Sequence, residues 1–306
     1  MYNTSFDDTI RLIKNNILVP SDYHKDLFRR LQDDDNYDVW YCLTNNLVPD
    51  GPEKFLTFED FLNYVYEKCR NNIYYFLKNI IRLPSKGGGF MNFELNIGTL
   101  ALIEHYIHGT SALLQNPRQT FQSTTLSCIM EYESMFKPSN ATTSMLCRTP
   151  LDFRLHMKQS MCISGQIPDT FKNYVASMVS NKPSKSTTDK KIVFIDDFEF
   201  HEDLKNALSL TKENCDREVV YYAASVVNRN LTEDEERYLN SITINSVDNF
   251  NIFSPLVDVV NNDCLVRIWY DSQFFFTSEE HKELLTTLGP DTYESEILRI
   301  RTSEKS

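Results

Sequence analysis

The sequence is poor in glycine and tryptophan, with 8 and 2 residues among 306. It also lacks any apolar run near the ~18 residues that a membrane-spanning helix needs. Scarce glycine and only 11 prolines exclude a collagen-like or low-complexity chain. Positive charge is short too. The 31 Lys and Arg stand against 43 Asp and Glu, a formal net charge of −12. That is the wrong sign for a surface that clings to phosphate backbones throughout, so any contact with nucleic acid is local. Seven cysteines (Cys42, Cys69, Cys128, Cys147, Cys162, Cys215 and Cys264) are odd in number and never spaced C-x-x-C. They read as reduced, mostly buried thiols rather than as a disulfide framework. The N-terminus has no basic-then-apolar order of a secretory signal, and the expectation is a soluble, intracellular protein with no membrane association. What the chain has in quantity is apolar: 41% hydrophobic and 12% aromatic residues, enough for one large core or two smaller ones without staples.

The first eighty residues read as a helical segment. Asp33-Asp34-Asp35 and Pro49-Asp50-Gly51-Pro52 are loop signals between short helices. Thr57-Phe58-Glu59-Asp60 resembles a capping box, and Phe58, Phe61, Leu62, Val65, Cys69, Ile73 and Phe76 then recur at helical spacing, which predicts one long amphipathic helix whose aromatic stripe packs in the core. Pro84 and Gly87-Gly88-Gly89 break the chain, and the triplet reads as a flexible connector. His105 and His108 read as a pair on a helix surface, since only Glu104 stands near them and zinc wants more ligands.

From about residue 95 the pattern alternates. Short β-rich runs at 111–115, 144–147, 192–195, 219–225 and 266–270 are separated by helical stretches, which predicts an α/β fold with a mostly parallel sheet wrapped by helices. The polar stretch 181–191 reads as a surface loop.

Two stretches carry chemistry. Ile192-Val193-Phe194-Ile195 runs into Asp196 and Asp197, so the acids fall at the C-terminal end of a buried strand, where open α/β sheets bind ligands. That is a Walker B arrangement, which also occurs as a plain strand-to-turn junction. Its partner, the phosphate loop G-x-x-x-x-G-K-[ST], belongs between a strand and a helix. Residues Asn116-Pro117-Arg118-Gln119-Thr120-Phe121-Gln122-Ser123 have that length and position. Asn116, Phe121 and Gln122 replace the two glycines and the lysine, and Ser123 keeps the hydroxyl.

The surrounding words (Ile81 to Gly89, Phe93 to Leu102, Pro117-Arg118-Gln119-Thr120, Ile163 to Pro168 and Ile195 to Phe200) resemble, in order, the ATPase half of large terminase subunits of tailed bacteriophages. Tyr293, Glu296, Ile297, Leu298 and Arg301 fit the closing motif more loosely. The resemblance spans roughly residues 55–301. It implies a helical segment over 1–80 and a P-loop NTPase-like ATPase domain over 81–306, with ATP and Mg²⁺ as cofactors. Arg118 and Asp197 would be catalytic, at the γ-phosphate and the attacking water. Gln119, Thr120, Gln122, Ser123 and Thr124 would bind nucleotide, Ser123 and Asp196 would hold the metal, and Ser225 would couple hydrolysis to movement. The implied partners are double-stranded DNA, a portal, a small terminase subunit and further copies in a ring, in the cytoplasm of an infected host cell. The family's nuclease domain would begin about where this sequence stops, so the resemblance leaves the nuclease either on a separate chain or absent.

Gln122 offers an amide dipole where the family has a full charge, and a bulky Phe121 resists the positive φ that glycine supplies. Three functions stay open on the residues: a packaging ATPase with an atypical loop, a catalytically inactive terminase-like binding or regulatory module, and an α/β domain whose acids are structural.

Overall fold

The computed structural model of the chain describes residues 5–17, 19–51, 54–85, 87–117, 120–137, 141–147, 149–180, 190–196, 219–225, 243–246, 265–269, 272 and 275–298. Five helices come first: α1 (Phe6–Asn16), α2 (Asp22–Leu31), α3 (Val39–Asn45), α4 (Phe58–Asn71) and α5 (Ile73–Asn79). Each begins where a short polar side chain accepts a hydrogen bond from the first turn, at Ser5, Ser21, Asp38, Thr57 and Asn72. At Thr57 the expected box forms with Asp60. The single long helix expected beyond it is instead two. Asn72 leaves the helical region at φ −144°, ends α4, and its Oδ1 accepts from the Tyr74 N–H at 3.1 Å to start α5. Its Nδ2 donates to the Arg30 carbonyl at 2.8 Å, so the break is held by a tertiary contact that periodicity does not encode. The aromatic stripe is core, as its spacing suggested: Phe61, Val65, Cys69 and Phe76 are fully buried.

The acidic loop 33–35 is tied down by α4 and α5. Asp33 pairs with Lys68, Asp34 with Lys78 at 2.6 Å, and Asp35 accepts from the Tyr64 hydroxyl at 2.7 Å and from Tyr75. The glycine triplet is not a loose connector. It turns a hairpin between β1 (Arg82–Pro84) and β2 (Phe90–Asn92), with Gly88 at φ 85° and Gly89 at φ 80°, a region that glycine enters without a Cβ clash.

Next come α6 (Ile97–His108), β3 (Ala112–Gln115), α7 (Gln122–Phe136), β4 (Ala141–Leu146), α8 (Pro150–Gln166), α9 (Asp169–Ser180), β5 (Lys190–Ile195), β6 (Val219–Ser225), β7 (Thr243–Ser246), β8 (Leu265–Trp269), α10 (Ser278–Leu288) and α11 (Pro290–Glu296). Strands β3 to β8 form one six-stranded sheet in the order β4-β5-β6-β3-β8-β7, every neighbouring pair parallel. The protein is therefore α/β with a parallel sheet flanked by helices, and all five expected strands are present within a few residues. Because the strands are parallel, their carboxyl ends share one edge. Chain leaving β3 goes out to β4 and chain leaving β6 goes to β7 on the opposite side, so the winding direction changes between these two neighbours. Ligands of open α/β sheets gather at such a point.

Aromatic side chains fill the space between helices and sheet. Phe76, Tyr132 and Phe136 pack mutually at ring separations of 5.0 to 5.6 Å, and Tyr106 meets Tyr222 of β6 at 5.7 Å. One apolar cluster runs from α1 to the sheet. Within it sits a buried charge. The Glu104 carboxylate accepts from both Arg30 terminal nitrogens, at 2.9 and 3.1 Å, and from the hydroxyls of Tyr23 and Tyr74, each at 2.6 Å. Among the described residues no helix is long and apolar enough to cross a membrane. The cysteines described, Cys42, Cys69, Cys128, Cys147 and Cys162, are all free, and the first three are buried.

Burial works against ionisation of Glu104, but hydrogen bonds from His108 and Arg30, the Arg30 charge and the Tyr23 hydroxyl outweigh it and hold the carboxyl at about 2, below its ordinary 4.5. His105 is not on the surface as expected but fully buried, and burial, aided by the like charge of His108, takes it from 6.5 to about 3. Both folded values lie below the unfolded ones, so the unfolded chain takes up protons first as pH falls. Stability present above pH 6.5 should decline in two limbs, the first set by His105 and the second, below about 4.5, by Glu104. Each limb has a slope of up to ~1.4 kcal/mol per pH unit. In urea-unfolding curves recorded from pH 7.5 to 4, His105→Gln should flatten the first limb. Glu104→Gln should cost about 3–5 kcal/mol at pH 7 by leaving Arg30 buried without its carboxylate.

Candidate functional site

The loop that leaves β3 is built from the inside. Asn116, the first residue past the strand, is fully buried and lies against Gly98 in the first turn of α6. A Cβ at Gly98 would sit 1.8 Å from Asn116 Nδ2, so only glycine admits this approach. Asn96, which caps α6, also reaches across: its Nδ2 donates to the Thr120 carbonyl at 3.0 Å. Thr120 donates its hydroxyl to the Pro117 carbonyl at 2.8 Å. Gln122 Nε2 points into the same space and donates to the carbonyls of Asn116 and Pro117, at 2.9 and 3.2 Å, with the Thr120 hydroxyl oxygen 3.4 Å away. The amide oxygen of Gln122 is buried and has no hydrogen-bond partner. Three acceptors thus converge on one nitrogen while the acceptor bonded to the same carbon is stranded. An ammonium group, with three donors and no acceptor, matches those surroundings better than the amide that occupies them.

Phe121 takes φ 62°, ψ 19°, the left-handed region, directly before α7. The expectation that a bulky side chain resists this conformation is met by a specific compensation. The ring is partly buried and packs on the core, and that burial offsets the ~1–2 kcal/mol that a left-handed residue costs. The backbone therefore makes the turn that glycine would make. Phe121 gives α7 no side-chain cap, so the amino-terminal end of this 15-residue helix carries its partial positive charge at the sheet edge unscreened by a capping group.

Ser123, on the first turn of α7, donates to Asp196 Oδ1 at 2.8 Å. Asp196 follows the last residue of β5, and its N–H donates to the Leu146 carbonyl of β4 at 3.2 Å, which anchors it at the strand end. The two residues that would hold a metal are thus brought together from strands β3 and β5, which β6 separates. Thr124 lies beside them and accepts from Gln159 Nε2 at 2.8 Å. The other oxygen of Asp196, Oδ2, meets His156 Nε2. Neither His156 nor Gln159, both on α8, was found by sequence reasoning. A single histidine and a single glutamine within a helix give no spacing signal.

Of the remaining expected site residues, Thr120 and Gln122 turn into the loop. Ser225 ends β6 in register with Gln115 of β3, at the carboxyl edge between the two strands. Arg118, Gln119 and Asp197 lie outside the described residues, as does Arg301. Among the described residues no group of three or more His, Cys, Asp or Glu side chains could enclose a metal ion. A partly exposed serine hydroxyl in contact with the oxygen of a nearly buried carboxylate offers two oxygen donors, the type of ligand that a hard cation such as Mg²⁺ takes while keeping several of its waters.

The Gly98 approach is testable on its own. Gly98→Ala should lower the urea-unfolding free energy by about 1–3 kcal/mol, since the new methyl drives Asn116 and the loop aside. In the Asn116→Ala background the same change should be neutral or stabilising by up to ~1 kcal/mol, the ordinary helix preference for alanine. Equal costs in both backgrounds would show that the loop does not rest on this contact. No family model matches the chain and no curated protein matches it, so the reading of the site stands on its geometry.

Proposed function

We propose that this chain is the ATPase-type domain of a terminase-like DNA-packaging motor, with a P-loop NTPase-like sheet that takes up Mg·ATP at the α7 terminus and turns it over slowly. One observation carries the reading: Ser123 and Asp196, 73 residues apart, meet at 2.8 Å on the carboxyl edge of a parallel sheet, where that chemistry needs them. The left-handed turn at Phe121 supports it, because this residue takes the positive φ that glycine supplies at the corresponding place of a phosphate loop. Ser123 and Asp196 would hold Mg²⁺ through water, the ion supplying charge neutralisation at the phosphates. Arg118 and Asp197 would act at the γ-phosphate and the attacking water. Gln119 and Thr124 would line the phosphates, and Ser225, on the strand between loop and acid, would transmit the change. Portal, small terminase subunit, double-stranded DNA and a ring of further copies are the partners this reading carries, with DNA contact confined to a local patch by the net charge of −12.

A second reading, an inactive terminase-like module that binds partners, is favoured by Gln122. Its amide neutralises no phosphate charge and is folded onto the loop's own carbonyls. Losing one charge-bearing transition-state donor costs ~10²–10³ in rate.

Calorimetric titration with Mg·ATP beside a turnover assay separates these. The wild type should bind and hydrolyse slowly, Asp196→Ala should abolish both, and the double change Phe121→Gly with Gln122→Lys should raise turnover by ~10²–10³. Binding without any gain in turnover would favour the inactive module. If neither protein binds, the ATPase reading fails; a stable complex with another packaging protein would then leave the inactive module, and no such complex would leave the acids as structural.

A further inference from the structure

Helix α8 inverts the usual pattern of a surface helix. Leu151, Leu155 and Met161 are 63%, 56% and 70% exposed, whereas His156 is 5% exposed. Only His156 and Ile163, two turns apart on one face, are buried. A helix that buries a histidine and exposes its leucines breaks the local rule, and such breaks gather at functional sites. The histidine faces the carboxylate of Asp196, and Gln159, one turn further on the same helix, donates to Thr124. Two polar side chains of α8 thus reach Thr124 of the α7 terminus and Asp196, and Asp196 is held on both oxygens, by Ser123 and by His156.

The state of the imidazole follows from what surrounds it. His156 Nδ1 is buried and has no hydrogen-bond partner. With the proton on Nε2, donated to Asp196, Nδ1 is left as an unpaired acceptor, which costs less than an unpaired buried N–H. Donating from Nε2, His156 fixes the carboxylate plane and turns Oδ1 toward Ser123. Outer partners of this kind orient a ligand without touching the ion, and their loss typically weakens metal binding 10–100-fold.

We infer that His156 is a positioning residue for the Ser123 and Asp196 site, setting its affinity for a divalent cation bound with nucleotide. The inference rests on the nucleotide reading above. It is tested by calorimetry with Mn·ATP and, separately, with ATP in EDTA, on wild type, His156→Leu, His156→Gln, His156→Asn and Asp196→Asn.

Affinity of His156→Leu for Mn·ATP should fall by about 10–100-fold while its affinity for metal-free ATP stays within about threefold of wild type. His156→Gln, whose amide N–H reaches the position of Nε2, should recover most of the loss. His156→Asn, too short to reach Asp196, should not. The comparison of Gln with Asn stands even where the leucine variant folds poorly.

Equal losses with and without metal, an unaffected leucine variant, or no difference between Gln and Asn would overturn the positioning role and leave the nucleotide site intact. If wild type takes up no Mn·ATP, or Asp196→Asn binds it as wild type does, the reading of the site fails and this inference with it.

Discussion

A phenylalanine held in the left-handed region decides where α7 begins, and much else is fixed by that start. With Phe121 at φ 62°, the first turn of α7 faces the sheet edge with Ser123 toward the neighbouring acid and Gln122 toward the loop interior. A right-handed residue there would run the helix on into the loop and rotate Ser123 away from Asp196. The conformation is costly for any residue with a Cβ, and the ring offsets that cost by packing on the core. Beneath it, Asn96 and Gly98 of α6 hold the loop from the other side, one by a hydrogen bond and one by having no side chain. The site is therefore a property of two helix N-termini, α6 and α7, set against one strand end.

The helical segment before the sheet is bound to the rest by a polar device rather than by apolar packing alone. Glu104 is fully buried, yet it is charged, because Arg30 of α2 meets it with two nitrogens and Tyr23 and Tyr74 fill its remaining acceptor positions. Any slippage of α2 or α5 against α6 would strand a buried charge, so the arrangement selects one relative placement of these helices where apolar surfaces would tolerate several. Because Gly98 and Glu104 share α6, the placement of the first five helices reaches the floor of the loop after β3 through one rigid element.

What could be read from the sequence was whatever repeats locally. Runs of β-formers announced the five strands, and Thr57 with Asp60 announced a helix start, because strand burial and caps are written in adjacent residues. The order of strands, the edge strand Thr243–Ser246 and the break at Asn72 were not legible, since each depends on a partner far along the chain. The glycine triplet was seen as a break but not as a hairpin, because the pairing residues Arg82–Pro84 and Phe90–Asn92 are too short for a periodic signal. Ser123 and Asp196 were legible as members of two motifs. Their partner His156 was not: its neighbours Leu155 and Met157 point outward against expectation, and hydropathy alone would have buried them instead.

The electrostatics of the site explain why the nucleotide reading needs a metal. The described groups around Ser123 and Asp196 include one carboxylate, two hydroxyls, the amides of Gln122 and Gln159, the His156 imidazole and the partial positive charge of the α7 terminus. A helix end supplies about half an elementary charge, and Asp196 supplies a full charge of the opposite sign, so this part of the site repels a triphosphate. A divalent cation on Asp196 would reverse that sign locally and turn the acid from an obstacle into an anchor. In a loop that keeps its lysine, the cation and the ammonium share this work. With Gln122 in its place that work would fall to the metal and Arg118, so on the nucleotide reading whatever holds Asp196 in position would weigh more here than in a loop with its lysine intact.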